Sequence, residues 1–338
     1  MSRVVAGLVG VLGVLVMGAA SVQAAPLACG DEIDSDTKLK KNLVCAENES
    51  ALVIDGNGVD LNLNGHTISG NGDFGTDGVD VQDSDRVRVH GGTIKGFEHG
   101  INAVVADELM VEDMKIKGSM DQAVRLNQVT DSVIRDNALL ENQASSNVLV
   151  FGGLSEKVAV VRNRMTKGGI TFNGGPTHRA IGNSITDAVS DAITLGVTGN
   201  VVVRANTIDE AEGFGVMVEG AVEESAIESN QITGTDSSGI FLDAGVVSTT
   251  IDDNKVIRTS NNGISVQSPV TGIKIRGNRT NGNANHGIGV ASSGVLIKNN
   301  VANRNEGYGI LSGSSLGSGN TAKNNGGPAE CSPASLCD

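Results

Sequence analysis

Residues 239–286 read GIFLDAGVVSTTIDDNKVIRTSNN and then GISVQSPVTGIKIRGNRTNGNANH, two consecutive 24-residue segments that lie one on the other without a gap. Each opens with a Gly (Gly239, Gly263) and continues into a short apolar run (Ile240, Leu242; Ile264, Val266). A second run follows (Ile251; Ile273, Ile275), and an Asn stands fifteen residues after the Gly (Asn254, Asn278). The alternation has the two-residue period of strands and carries no helix signal, so one such unit cannot bury its apolar face alone and must stack on copies of itself.

The copies extend in both directions. The small opening residue recurs at Gly78, Gly100, Ala123, Asn147, Gly169, Ala192, Gly215, Gly239, Gly263, Gly287 and Gly309, at intervals of 22 to 24, after a less regular first copy at Ala51. The Asn recurs at Asn137, Asn163, Asn183, Asn206, Asn230, Asn254, Asn278, Asn300 and Asn320, while His66, Gly92 and Met114 take the three earlier places. A constant period of this kind predicts one coil of a parallel β-solenoid per repeat. Asn side chains could then hydrogen-bond along a column with steps of about 4.8 Å. Asn also tolerates the left-handed backbone of a sharp corner.

This pattern resembles the right-handed parallel β-helix repeat family, shared by pectate-lyase-like enzymes, alginate epimerases and lyases, and NosD-type periplasmic accessory proteins. The resemblance covers roughly residues 51–325. It implies an all-β, single-stranded solenoid of about 11–12 coils, capped at both ends, and it leaves the chemistry open because this scaffold hosts many activities.

Met1–Ala24, with Arg3, an apolar run from Val4 to Ala20 and the small-residue site Val22-Gln23-Ala24, reads as a secretory signal peptide rather than a membrane anchor. The mature chain is thereby expected outside the cytosol, secreted or periplasmic. Residues 25–50 read as an N-terminal cap, 51–311 as the repeats and 312–338 as a C-terminal cap or tail. Four cysteines fall in two terminal pairs. The ends of a twelve-coil solenoid lie about 50 Å apart, which favours Cys29–Cys45 and Cys331–Cys337.

Without Arg3, 24 basic residues face 39 acidic ones, a net charge of −15. That balance excludes a nucleic-acid binder, whose partner demands a basic face. No Trp, one Tyr and six Phe leave few stacking platforms, so a carbohydrate site must work mainly through hydrogen bonds and charge. The sequence contains no HExxH, no Walker loop and no Cys/His zinc spacing.

Side-chain alternation assigns two outward columns. The first lies two residues after each opening position: Asp80, Asn102, Arg125, Leu149, Thr171, Thr194, Met217, Phe241, Ser265, Gly289 and Leu311. The second lies two residues before each Asn-column position and begins Asn64, His90, Glu112, Arg135, Val161, Ile181, Arg204. At the start of the first column the coil carries an insertion, GNGDFGTD at Gly70–Asp77. The following coils bring Lys95, Glu98 and His99, then Lys117 and Asp121, to the same corner.

By the resemblance, a uronate-cleaving site needs carboxylates that hold Ca²⁺ or protonate a leaving group, and a Lys, Arg or His as base. Asp73, Asp77 and Asp80 are the metal candidates. Lys95, His99 and Arg125 are the catalytic candidates, and Asn102, Glu98 and Asp121 the substrate-binding ones. The row His90, Glu112, Arg135 forms a second candidate site. Val133, Val161, Ile181 and Val202, with Ala159, form an outward apolar patch that could serve self-association.

The sequence departs from the better-known enzymes of the fold. It has no Arg-x-Pro-x-x-Arg of pectate lyases, no Asp-Asp pair in a polygalacturonase context, no Asp-Pro-His-Asp of alginate epimerases and no long insertions to build a deep cleft. Two functions of different class remain. One is a secreted protein that binds or cleaves an extracellular, uronic-acid-containing polysaccharide, as a Ca²⁺-assisted lyase, a hydrolase or an epimerase. The other is a non-enzymatic surface, adhesion or matrix solenoid. A NosD-like accessory role rests on the repeat alone.

Overall fold

The structure, a computed structural model, describes residues 27–46, 49–313 and 316–338. The segment read as a signal peptide lies outside them. Three parallel sheets of 14, 13 and 13 strands run the length of the molecule, and each successive coil adds one strand to each sheet in turn. The two quoted segments stack in register, Ile240 on Ile264, Ile251 on Ile275 and Val256 on Thr280. The result is an all-β parallel solenoid of about 13 turns.

The rods of the core are the inward positions of each strand. In the second sheet, Val89, Val111, Ile134, Val160, Ala180, Val203, Ile227, Ile251, Ile275 and Ile297 succeed one another, each fully buried. Burial of each Val or Ile contributes about 1.5–3 kcal/mol. Stacking supplies what no single coil could.

The Asn column is a continuous hydrogen-bonded ladder. Asn183 Nδ2 donates to Asn206 Oδ1 (3.0 Å), Asn206 Nδ2 to Asn230 Oδ1 (3.0 Å) and Asn230 Nδ2 to Asn254 Oδ1 (2.9 Å). Each backbone N–H donates to the same oxygen of the next coil. The left-handed residue of the corner is not the Asn, however. It is the residue before it: Asp136, Arg162, Ala205, Ser229, Asp253 and Asn299 all have φ between 53° and 57°, and Gly182, Gly277 and Gly319 share the sign. The preceding residue makes the turn, which aims the Asn side chain inward to cap the backbone groups freed at the corner.

The opening column is small for a steric reason. A Cβ on Gly100 would come 2.6 Å from the Ala123 carbonyl oxygen and 2.3 Å from Ile116 Cγ2. Asn147 is tolerated in the same column because its buried amide is satisfied. Its Nδ2 donates to Gly168 O (2.7 Å) and its Oδ1 accepts from Asn142 Nδ2 (2.6 Å).

Both end segments carry strands of their own. Asp31–Ile33 pairs with Leu52–Ile54, so residues 27–46 form a first coil rather than a separate cap. At the other end Leu316–Ser318, Thr321–Lys323 and Cys331–Ser332 extend the three sheets. The disulfides Cys29–Cys45 and Cys331–Cys337 form as the terminal pairing required, and they are consistent with an extracellular or periplasmic location. No helix among the described residues is long and apolar enough to cross a membrane.

Candidate functional site

The first sheet is widest where the charged residues gather. Its strands Asp77–Asp85 and His99–Asp107 have 9 residues each and Val124–Thr130 has 7, against 3 in Ile240–Leu242. In-register pairing sets His99 beside Asp77, and Asn102 between Asp80 and Arg125. Asn102 is the hub. Its Nδ2 donates to Asp77 Oδ2 and Asp80 Oδ1, both at 3.2 Å, while its Oδ1 accepts from Arg125 Nη1 at 3.0 Å. The Arg125 guanidinium lies 4.6 Å over the Phe151 ring. Gln82 Nε2 reaches both oxygens of Asp80 at 2.9 Å. Burial pushes the Asp80 carboxyl above the usual carboxylate range, and the neighbouring Asp77 charge adds to the rise. The hydrogen bonds from Gln82 and Asn102 and the charge of His99 offset part of it.

At the adjoining corner, the buried His99 places Nδ1 2.8 Å from Asp77 Oδ1. A carboxylate there accepts, so Nδ1 carries a hydrogen, and in the neutral ring the Nε2 lone pair points the other way. Nε2 faces Asp121 Oδ2 at 3.6 Å, too far for a hydrogen bond. Glu98 completes the group, its carboxylate accepting from the Gly75 backbone N–H in the insertion loop. Ligand atoms of Glu98, His99 and Asp121 lie within 4.8 Å of one another.

Residues 154–279 match the family model described as the right-handed beta helix region. The chain has the parallel β-solenoid fold of right-handed β-helix proteins. No curated protein sequence matches it. Among solved structures it is similar to the catalytic unit of a GH87 alpha-1,3-glucanase from Streptomyces thermodiastaticus (17% identity, TM-score 0.59), with 88% of this chain aligned to 61% of that one. It is also similar to a single-residue variant of the periplasmic alginate epimerase AlgG (14%, TM-score 0.59; 86% of this chain and 76% of that one). A third is a tailspike protein of the E. coli bacteriophage HK620, solved with a hexasaccharide (9%, TM-score 0.57; 89% and 68%). The chain thus spans about three fifths of the glucanase unit. At these identities the likeness is one of fold.

Within the β-helix, Asp80, Asn102 and Arg125 come together as the first column implied, and Glu98, His99 and Asp121 gather at the adjoining corner. Lys95 does not. It ends the third-sheet strand Thr93–Lys95, exposed between Ser69 and Lys117 in register, on a different face from Asn102. The expected Ca²⁺ set of Asp73, Asp77 and Asp80 also fails to form one donor group. Asp73 stays in the insertion loop, bonded to Asn71. Asp77 spends its two oxygens on His99 and Asn102, and both Asp80 oxygens are held by Gln82. The sequence reading missed Gln82, Phe151 and Gln122. All three lie on the correct strands or corner, but nothing in their residue types separates them from ordinary surface polar or apolar positions.

The second candidate row is in register as expected, His90 beside Glu112 beside Arg135. Its geometry is that of a closed ion cluster. Glu112 Oε1 accepts from Arg88 Nε and Oε2 from Arg135 Nε, both at 2.7 Å, and His90 Nε2 sits 3.0 Å from Asp60 Oδ1. Burial raises the Glu112 carboxyl, but the hydrogen bonds and charges of the two guanidiniums outweigh it and hold the group below its usual range. With both oxygens committed to arginines, Glu112 has nothing to offer a reaction. Val133, Ala159, Val161, Ile181 and Val202 do face outward on the second sheet. They are half-buried, and Arg135, Arg179 and Arg204 interrupt them in register.

Proposed function

We propose that this β-helix binds and processes an acidic extracellular polysaccharide, one containing uronic acids, on the first-sheet face around Asn102. The observation that carries the reading is the hub itself: two carboxylates, an oriented imidazole and a guanidinium are tied through one buried amide on the widest strands of the rod. Asp80, its pKa raised, keeps a proton to higher pH than an ordinary carboxyl and can donate it to a glycosidic oxygen. Arg125 spends one N–H on Asn102 and stacks on Phe151, which leaves its other donors for a sugar carboxylate. Further along the same face Phe241 stacks on Phe214 at 4.5 Å, an apolar surface of the kind that packs against sugar rings. The glucanase, epimerase and hexasaccharide-bound tailspike of similar fold support a carbohydrate partner.

A second reading, binding without cleavage by an adhesion or matrix solenoid, is favoured by the absence, among the described residues, of long loops walling this face. The test is incubation with alginate, pectate, glycosaminoglycans and neutral glucans. Absorbance at 235 nm and new reducing ends are followed, alongside binding on a glycan array. Unsaturated product indicates elimination, reducing ends alone indicate hydrolysis, and binding alone indicates the second reading. Asp80→Asn should retain binding while losing cleavage, and Arg125→Ala should weaken binding to acidic glycans at least tenfold. Unchanged binding by Arg125→Ala on every glycan would remove this face from consideration.

A further inference from the structure

We propose that the corner formed by Glu98, His99 and Asp121 binds one divalent transition-metal ion, Zn²⁺ by its donor chemistry, with Gln122 Oε1 as an adjacent oxygen donor. Four features of the corner converge on this.

The first is orientation. Asp77 accepts from His99 Nδ1, so the neutral ring turns its Nε2 lone pair toward the Asp121 carboxylate, which has no hydrogen to give. In that form two electron-rich groups face each other with no hydrogen bond between them. A cation resolves that arrangement. The second is spacing. Ligands about 2.1 Å from a tetrahedral Zn²⁺ stand about 3.4 Å from each other, and His99 Nε2 and Asp121 Oδ2 are 3.6 Å apart.

The third is an unused buried acceptor. Gln122 is at least nine-tenths buried, and its Nε2 donates to Asp121 Oδ1 at 2.6 Å. That bond fixes which end of the amide faces the carboxylate, and it leaves the buried Oε1 without a partner. A buried amide oxygen left unpaired costs about 1–3 kcal/mol, which a metal ion or its bound water would relieve. The fourth is the outer shell. Each ligand is itself held by a hydrogen bond: His99 by Asp77, Glu98 by the Gly75 N–H and Asp121 by Gln122. Metal sites use such partners to orient their ligands.

The donor set also chooses the ion. Ca²⁺ takes oxygen ligands, whereas imidazole nitrogen with two carboxylates suits Zn²⁺ and its neighbours in the first transition row. The two ligand carboxylates match the charge of a divalent ion. Because the corner adjoins the Asn102 hub, the inference rests on and deepens the reading of that face by giving an acidic sugar a metal ion to coordinate beside the Arg125 guanidinium.

The experiment uses the full exported chain, stripped with chelator and titrated with Zn²⁺, Mn²⁺ or Ca²⁺ in a calorimeter with no glycan present. Its failure therefore says nothing against glycan binding, which is scored separately. One Zn²⁺ per chain is expected, bound at least tenfold more tightly than Ca²⁺. His99→Gln and Asp121→Asn should each lower Zn²⁺ affinity at least a hundredfold, and Gln122→Ala about tenfold. Co²⁺ in the same site should give a visible absorption band that His99→Gln removes. Asp121 is half-exposed and its substitution by Asn nearly isosteric, so this variant should keep the wild-type circular dichroism and melting temperature. The inference is overturned by no saturable Zn²⁺ binding, by Ca²⁺ binding as tightly as Zn²⁺, or by unchanged Zn²⁺ affinity in folded Asp121→Asn.

Discussion

Replacing Asn206 by Ala tests the ladder that holds the coils in step. Asn206 is buried at the centre of the column. Its Nδ2 donates to Ala180 O at 2.8 Å and to Asn230 Oδ1 at 3.0 Å, and its Oδ1 accepts the Asn183 backbone N–H at 2.9 Å and the Asn183 Nδ2 at 3.0 Å. Truncation leaves the Asn183 backbone N–H and one hydrogen of its amide without an acceptor. It also strips the Ala180 carbonyl of a donor, all three in the dry interior. Each orphaned buried group costs about 1–3 kcal/mol, so the loss should be at least ~3 kcal/mol. Urea unfolding followed by circular dichroism near 218 nm measures it against Asn285→Ala, whose hydrogen bond to Asn261 is exposed and should be worth less than about 0.5 kcal/mol. The pair Asn183→Ala and Asn206→Ala should cost less than the two singles together, by about 1 kcal/mol or more, because either change alone breaks the shared bonds. A midpoint for Asn206→Ala within error of wild type, or strict additivity in the pair, would refute the view that the column stabilises the rod through these bonds.

Glu112→Gln should destabilise the protein at pH 7 by about 2 kcal/mol, discounted because Arg88 and Arg135 are partly exposed. The folded-state pKa of Glu112 is depressed, so its contribution is present above the ordinary value of 4.5 and is lost as pH falls through the folded value. Wild type and variant should therefore converge in urea midpoint as the pH falls through that depressed folded value. Asp80 has the opposite sign. Its raised pKa disfavours the ionised folded state, so Asp80→Asn should raise the melting temperature at pH 7, with the gain vanishing below the ordinary value of 3.8. A lower melting temperature at pH 7 would refute that. Gly100→Val drives side-chain atoms into the Ala123 carbonyl and Ile116, and should lower stability by about 1–3 kcal/mol or more in the same urea assay. Cys29→Ser should cost about 3 kcal/mol, in keeping with a 16-residue separation, and Cys45→Ser should match it without adding to it.

Much of the molecule is legible in its amino acids because the repeat is local and periodic. The interval from Gly239 to Gly263 states the length of a coil, and alternation within it says which of Ile240 and Phe241 faces inward. Nine Asn at one phase announce a column before any coordinates exist. The terminal disulfides follow from the distance between the ends. The outward column also placed Asp80, Asn102 and Arg125 side by side, because in-register parallel stacking converts a separation of 22 or 23 residues into one strand step. What the period does not encode is how each corner bends. Arg162 and Ala205 take a left-handed conformation that neither residue type favours, imposed by the Asn that follows and the coil beneath. Corner geometry likewise sent Lys95 to the third sheet and kept Asp73 in its loop. It also turned the His99 ring so that one nitrogen meets Asp77 and the other faces Asp121. Repetition along the chain determines the rod and its faces. Which side chains on a face touch is decided by backbone turns and rotamers that exist only once neighbouring coils have packed.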